Sequence, residues 1–410
     1  MSTTSAEPLQ TPAAAGTRHL PLLLANLAMV AGTYAFVAIA GPLARRMHLE
    51  PLHIGAVIAS VGLVWIAAAP RWGRAADMRG RLPAMRASIV GFVASFLLLA
   101  GYVGWALLGD VSAMPPVWAS FAALLATRAA MGGCYAGLPV AATAWIADRT
   151  AADGRAAALA RFGAAGAVGM VIAPPLAGWL AGYDMTLALA VFALLPLAGL
   201  PGLRRLRDDG PRVARQAPPR LKPTDPRLRL PWCSAFALYS VVMIANSALG
   251  FYVIDRLQVG VHDASAAVGY TLGSAGIGLI AMQSVVGRLR RVAPRQWLRW
   301  GALVGGVGLV STLAVGPAQP LWMCASYLVA ACGMGAAFPA VAALASMRVD
   351  AHEQGACAGA MSVAQGLSMV IAPLAGSALY ELHPAAPFAA IGVVLAGVFV
   401  GTWRRGVPQA

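Results

Sequence analysis

The pentapeptide Met-Val-Ile-Ala-Pro occurs twice in this chain, at residues 170–174 and at residues 369–373. The copies are 199 positions apart. A second match at an offset of 200 accompanies them, where glycine-rich stretches end in Leu138-Pro139 and in Phe338-Pro339. One short match could arise by chance in an apolar chain. Two matches at nearly one offset indicate an internal repeat, so the 410 residues are expected to fold as two similar halves.

Both copies lie in long apolar runs, the pattern typical of transmembrane helices. A helix needs about 20 predominantly apolar residues to cross the hydrocarbon core of a bilayer. Transmembrane strands would instead alternate polar and apolar residues over about 10 positions. Twelve apolar runs lie at residues 20–42, 52–71, 84–108, 116–147, 157–182, 185–203, 231–254, 264–287, 297–317, 319–347, 356–380 and 385–403. The sequence therefore predicts an all-α integral membrane protein with twelve transmembrane helices.

The composition supports a membrane protein and excludes a nucleic-acid partner. The chain is 59% hydrophobic and only 11% charged, whereas a soluble domain carries roughly 25% charged residues. The net charge of +15 could suggest binding to nucleic acid. The arginines, however, lie in short clusters between apolar runs and not along one soluble face. We therefore expect a lipid bilayer around the chain and no nucleic acid.

The positive charges also predict the orientation in the membrane. With the N-terminus inside, 26 of the 30 Lys and Arg residues lie in cytoplasmic segments, Arg128 lies within a run, and Arg45, Arg46 and Arg256 lie outside. Cytoplasmic loops carry the excess of positive charge in membrane proteins. Both termini are thus expected in the cytoplasm, in a bacterial-type inner (plasma) membrane. The polar first 17 residues lack the features of a removable signal.

The one long polar stretch, from Arg204 to Arg229, divides the twelve runs six and six. Its prolines and charges favour a flexible linker. The expected domains are a cytoplasmic N-terminal tail (1–19), a six-helix bundle (20–203), a basic cytoplasmic linker (204–230), a second six-helix bundle (231–403) and a C-terminal tail (404–410). Two pseudo-symmetric six-helix bundles joined in this way resemble the major facilitator superfamily (MFS) over essentially the whole chain.

The loop after the second run sharpens this resemblance. The segment Gly73-Arg-Ala-Ala-Asp77-Met-Arg-Gly80-Arg81 is similar to the superfamily's loop signature G-x-x-x-D-x-x-G-R at every fixed position. Gly80 permits a turn that is closed to residues with a Cβ. The resemblance implies that Asp77 faces the positive N-terminus of the eleventh helix, near Gly355, and closes the cytoplasmic side. The alternative is an ordinary basic loop.

The fourth run contains a buried arginine. Arg128 lies about 12 residues from the outer end of its helix, roughly 18 Å, hence near the middle of the membrane. A cation there is unfavourable by about 2.5–3.5 kcal/mol, so Arg128 should face a cavity. Arg128 followed by Gly132-Gly133 resembles the fourth-helix motif of exporters. The alternative is a structural arginine bonded to neighbouring polar groups.

The fifth run resembles the antiporter signature G-x-x-x-G-P-x-x-G-G. It reads Gly169-Met-Val-Ile-Ala173-Pro174-Pro175-Leu-Ala177-Gly178, with alanine in place of glycine at 173 and 177. Small residues four apart form a seam that lets a neighbouring helix approach, and Pro174 allows bending. The resemblance implies a conformational role for Gly169, Ala173, Pro174 and Gly178, and transport directed outward. The alternative is generic helix packing.

Polar and aromatic residues within the runs are the candidate substrate contacts. The substrate-binding candidates are Asn26, Tyr34, Arg128, Tyr135, Tyr239, Asn246 and Gln365, with Tyr270 and Gln283 beside them. Methionine and aromatic residues nearby suit an amphipathic or cationic-aromatic small molecule. The five cysteines form no C-x-x-C pair, and we expect no metal site, no cofactor and no catalytic residues.

None of the predicted helices has an Asp or Glu residue near its middle. All 15 Asp and Glu residues lie at run ends, in loops or in tails, with Asp77, Asp148 and Asp255 at the edges. Drug:proton antiporters, the branch that this chain resembles, usually carry a carboxylate within the membrane. The favoured function is export of drugs, siderophores or metabolites in exchange for protons, by a monomer that works by alternating access. The alternatives are an uptake carrier for a small anion, with Arg128 as the anion's partner, and a membrane enzyme or sensor.

Overall fold

The computed structural model describes residues 12–108, 114–150, 152–206, 225–289, 291–350 and 353–403, and over these residues the chain is helical. The α-helices are α1 (Pro12–Arg46), α2 (Pro51–Arg79), α3 (Arg81–Leu107), α4 (Val117–Tyr135), α5 (Gly137–Arg149), α6 (Ala152–Ala181), α7 (Met185–Leu194), α8 (Leu200–Arg204), α9 (Arg229–Leu257), α10 (Val261–Arg288), α11 (Pro294–Ser311), α12 (Pro320–Ser346), α13 (Gln354–Leu382) and α14 (Ala386–Gly401).

These helices make up the twelve expected crossings. The fourth crossing consists of α4 and α5, and the sixth consists of α7 and α8 joined by a 3₁₀ segment, Leu195–Gly199. Within the described residues, eleven helical stretches are long and apolar enough to span a bilayer, and α14 is a shorter apolar helix of 16 residues. The prediction of an all-α membrane protein with twelve helices in two bundles is confirmed.

The packing within each half repeats as the sequence repeat predicts. In the first half α1 packs on α6, α2 on α4 and α3 on α7. In the second half α9 packs on α13, α10 on α12 and α11 on α14. Between the halves, α2 packs on α13 and α6 packs on α10. The central faces of both bundles therefore meet along two equivalent helix pairs, with a shared space between them.

Two expected boundaries differ from the structure. The helix α1 begins at Pro12, so residues 12–19 of the predicted tail are helical, because the Ala-rich start has high helix propensity. The end of the predicted linker is ordered as a 3₁₀ turn, Pro226–Leu228, which leads into α9 at Arg229. The remaining linker residues 207–224, and both tails at 1–11 and 404–410, lie outside the described residues, so these domain limits stay predictions.

The two ends of the molecule differ in how the bundles meet. The linker end carries the turn at Gly80 and the start of α9, and the distal end carries the α1–α2 turn (residues 47–50) and the end of α13. Near the distal end the bundles touch backbone to backbone. A methyl group on Gly41 of α1 would lie 2.5 Å from the Cα of Gly250 in α9. The two bundles are thus packed together at the distal end.

Candidate functional site

A cavity of about 560 Å³ lies between the two bundles, and helices of both halves line it. Six of the seven predicted substrate contacts reach this cavity: Tyr34, Arg128, Tyr135, Tyr239, Asn246 and Gln365. They come from α1, α4, α9 and α13. These helices carry the inner face of each bundle, which is why residues far apart in sequence converge here.

Arg128 is the charged group of the cavity wall, and its partners are neutral. The side chain is buried, with 2% of its surface exposed. Its guanidinium carbon lies 4.2 Å from the centroid of the Phe36 ring, and Nη1 donates to the sulfur of Met131 at 3.2 Å. Nε is buried without a hydrogen-bond partner, and no described carboxylate forms an ion pair with this arginine. The cavity wall, as far as its residues are described, therefore carries one uncompensated positive charge.

A break in the fourth crossing positions the neighbouring tyrosine. Proline has no N–H and clashes with the carbonyl four residues earlier, so Pro139 interrupts the helix between α4 and α5. Side chains of adjacent helices bind carbonyls beside the break. Trp72 Nε1 donates to the oxygen of Gly133, and Ser88 Oγ donates to that of Cys134, both at 2.7 Å. These bonds satisfy carbonyls within the membrane and fix the chain where Tyr135 faces the cavity.

Much of the cavity wall is aromatic or sulfur-containing, and several of these residues were not among the predicted contacts. Tyr239 packs on Phe338 at 5.0 Å between ring centroids. The additional wall residues include Trp65, Tyr327, Met170, Met243, Met334 and Met369. The two matching dipeptides of the repeat, Leu138-Pro139 and Phe338-Pro339, each place one residue in the cavity wall, Pro139 and Phe338.

Asn26, the seventh predicted substrate contact, is not among the residues that line the cavity, and its role stays a prediction. Asn26 is 5% exposed, and its amide donates to the carbonyl oxygen of Phe162 at 2.8 Å, so it ties α1 to α6 inside the first bundle. Tyr270 of α10 is 54% exposed and is not among the described residues that line the cavity. A polar side chain in a transmembrane helix can bond to its neighbour helix as readily as face a cavity.

The loop signature lies at the linker end, and its charges bond within the first bundle. Gly80 has φ 98°, a backbone region that favours glycine, and it separates α2 from α3. Asp77 pairs with Arg81 at 2.6 Å, and Arg81 lies 3.6 Å from Asp148. Among the described residues, no hydrogen bond or ion pair joins Asp77 to the start of α13. Asp77 therefore has its ion-pair partner in its own bundle, and Gly73 lies on α2, one turn before it.

The residues of the fifth-helix signature lie on α6 and face two different neighbours. A methyl group on Gly169 would overlap the Leu27 carbonyl of α1, within the same bundle. A methyl group on Gly178 would overlap the Ser265 carbonyl of α10, in the other bundle. Ala173 is buried between these positions, and Pro174 lines the cavity. One small-residue seam thus serves a contact within a bundle and a contact between bundles.

Polar contacts join the bundles at the distal end. Arg45 of α1 donates to both oxygens of Asp255 in α9, at 2.8 and 2.7 Å, and the Tyr380 hydroxyl donates to the same carboxylate at 2.6 Å. Nearby, the backbone N–H of Leu52 at the start of α2 donates to Glu381 at 2.8 Å. We name this set the distal bridge. Sequence reasoning missed it, since only the packing of the bundles brings these edge residues together.

The comparisons with known proteins agree with this geometry. The family model described as Major Facilitator Superfamily matches residues 22–373 and 232–409. A "Tetracycline resistance protein, class G" of Vibrio anguillarum is 28% identical over 342 residues, which cover 80% of this chain and 81% of that protein. "Solute carrier family 67 member A1" of Homo sapiens is 26% identical over 394 residues, 90% of this chain and 87% of that protein.

Solved transporter structures share the fold at low sequence identity. A bacterial homolog of the human lysosomal transporter Spinster, described as inward-facing and occupied, superimposes with a TM-score of 0.69 at 15% identity, over 96% of this chain and 94% of that one. A bacterial homologue of the iron transporter ferroportin, described as inward-facing, gives a TM-score of 0.69 at 15% identity, over 97% and 100% of the two chains. The protein is a multi-pass membrane protein, and its chain belongs to the major facilitator superfamily of transporters.

Proposed function

We propose that this transporter exports amphipathic drugs, siderophores or metabolites across the inner (plasma) membrane in exchange for protons. The observation that carries the proposal is the cavity of about 560 Å³, which both bundles line with aromatic and sulfur-containing side chains. Drug-sized ligands occupy cavities of about 300–1,000 Å³ with mainly apolar walls. The likeness to tetracycline resistance proteins of classes G and C, at 28% and 25% identity, supports a substrate of this kind.

Alternating access is supported by where the bonds between the bundles lie. The distal bridge joins the two bundles, while at the linker end Asp77, Arg81 and Asp148 bond within the first bundle. The excess of arginines supports an orientation with the linker end, and both termini, in the cytoplasm. In this orientation the cavity is closed toward the outside and takes up substrate from the cytoplasm, as export requires. Export then proceeds by breaking the distal bridge and joining the bundles at the linker end.

Proton exchange is the finer part of the proposal, and the signatures in the fourth and fifth crossings support it. The described cavity wall contains no Asp or Glu. The edge acids Asp77 and Asp148 lie at the linker end, and Asp255 lies in the distal bridge. Proton exchange therefore has to act through groups at the two ends or through Arg128 as its partners change.

The test is transport by the purified protein in liposomes that contain a pH-sensitive dye. We expect an imposed pH gradient to drive a fluorescent amphipathic compound across the membrane, a protonophore to abolish this flux, and substrate addition to move protons. The control is the variant with Arg45→Cys and Asp255→Cys joined by a short bis-maleimide, in a background without the native cysteines, because it cannot open the distal end. A rate of substrate flux that does not change with the pH gradient would refute proton exchange.

An uptake carrier for a small anionic solute is the second candidate, and the uncompensated charge of Arg128 favours it. The large apolar wall argues for a bulkier substrate. The direction of transport separates the two functions. Cells that lack the protein should accumulate more of an exported compound and less of an imported one.

A further inference from the structure

The charge of the cavity points to one class of substrate. Arg128 is the only charged side chain among the described residues that line it; the other polar groups are neutral hydroxyls and amides, such as those of Tyr34, Asn246 and Gln365. A fixed positive charge in a low-dielectric cavity repels a cation and attracts an anion. From the charge alone, the cavity is unsuited to a cationic drug.

The surroundings of Arg128 leave its hydrogen-bonding capacity largely unused. A guanidinium has five N–H donors arranged to match the two oxygens of a carboxylate. In this structure Nη1 reaches a thioether, which is a weak acceptor, the Phe36 ring covers one face, and Nε has no partner. Phe36 and Met131 hold the guanidinium in place without neutralising it. An anionic oxygen at this position would find donors that nothing else in the described residues occupies.

The rest of the wall fits an apolar body. The Tyr239–Phe338 pair supplies aromatic surface, and Trp65 and Met334 add further apolar area. Aromatic and methionine side chains bind varied flat molecules because they combine a large apolar area with adaptable contacts. The cavity volume of about 560 Å³ is much larger than the volume of a small inorganic anion.

We propose that the substrate is an amphipathic organic anion of drug size, whose carboxylate or sulfonate binds Arg128 while its aromatic body occupies the space beside Tyr239 and Phe338. The inference rests on the proposed transport function for its meaning, but it concerns binding alone. It therefore holds or fails independently of the direction of transport and of proton exchange.

The experiment measures equilibrium binding of two matched probes to the purified full-length protein in detergent. The probes are N-dansylglycine, which has a carboxylate, and its amide, which has the same aromatic body without charge. We expect the wild-type protein to bind the carboxylate about tenfold or more tightly than the amide, the discrimination typical of a charged hydrogen bond. Arg128→Gln should bring the ratio of the two affinities close to one, with little change for the amide.

Two further variants keep the test decisive. Arg128→Lys retains the charge but loses the planar pair of donors, so part of the preference for the carboxylate should remain. Arg71→Gln removes an exposed arginine of α2 and should leave the preference unchanged. If Arg128→Gln folds but keeps the preference, or if the wild-type protein binds the amide as well as the carboxylate, the proposal is wrong. Arg128-dependent binding without pH-driven flux would overturn the proposed proton exchange and leave this inference standing.

Discussion

The distal bridge should hold the cavity closed toward the outside, and Asp255→Asn tests this directly. The carboxylate accepts two bonds from Arg45 and one from Tyr380, and asparagine keeps only one oxygen and no charge. The side chains of Arg45 and Asp255 are 40% and 33% exposed, so solvent screens their attraction. A pair of this exposure stabilises by about 1 kcal/mol at most. The ratio of distal-closed to distal-open molecules should therefore fall by about fivefold.

The assay is a distance distribution between two spin labels at the distal end, one on each bundle. Leu108 at the end of α3 and Leu382 at the end of α13 are suitable sites, because they are 86% and 80% exposed. We expect Asp255→Asn to enlarge the population with the longer distance. Arg45→Gln should do the same, and the double variant should add little to either single change, since all three remove one interaction.

The matched control is Arg256→Gln. This neighbouring arginine donates to the Leu313 carbonyl within the second bundle, so its removal should not change the distance between bundles. Equal distributions in the wild-type protein and in Asp255→Asn would contradict the reasoning, as would full additivity of the Asp255 and Arg45 variants. Either result would mean that backbone packing alone closes the distal end.

Three other changes have defined outcomes. Gly178→Ala should reduce transport strongly because the added methyl group overlaps a carbonyl of α10. Gly163→Ala on the same helix should transport normally, because its methyl group would have no atom within 4 Å. Substrate flux in liposomes compares the two variants. Asn26→Leu should lower the melting temperature, since it leaves a buried carbonyl of α6 without its side-chain donor, while the affinity for the dansyl probes stays unchanged. The hydrogen bonds from Arg227 lower the pKa of Asp225. The 3₁₀ turn Pro226–Leu228 at the start of α9 should therefore stay folded at neutral pH and be lost only as the pH falls through that lowered pKa. Hydrogen exchange measured between pH 7 and pH 3 would detect the loss.

The sequence predicted the crossings well, because they follow from short-range rules, and six of the seven candidate contacts line the cavity. Apolar runs locate helices, and the repeat makes the inner faces of the two halves equivalent. Asn26 lies away from the cavity for a geometric reason. It lies eight residues before Tyr34, which on an α-helix rotates it by about 80° from the face that carries the tyrosine. Polarity identifies a residue that needs a partner, but only the packing of α1 on α6 shows which side provides it.

Contacts across the two bundles could not be derived from sequence. The distal bridge joins residues 210 positions apart, and nothing in the pattern around Arg45 or Asp255 indicates a partner. The expected contact of Asp77 with α13 depends on which end of the molecule is closed. The sequence alone does not show which end that is. The break at Pro139 had a local signal, since proline interrupts helices, but the apolar run continues through it and hides the interruption.

The backbone contact between Gly41 and Gly250 has an electrical consequence. In the proposed state the cavity is continuous with the cytoplasmic solution, so the membrane voltage falls mainly across the seal of α1 against α9. A charged substrate then crosses little of the membrane voltage as it enters the cavity, and crosses nearly all of it when the seal opens. Moving one elementary charge through this seal against 100 mV requires about 2.3 kcal/mol. The opening step, and not the loading of the cavity, should therefore be the voltage-dependent part of the cycle.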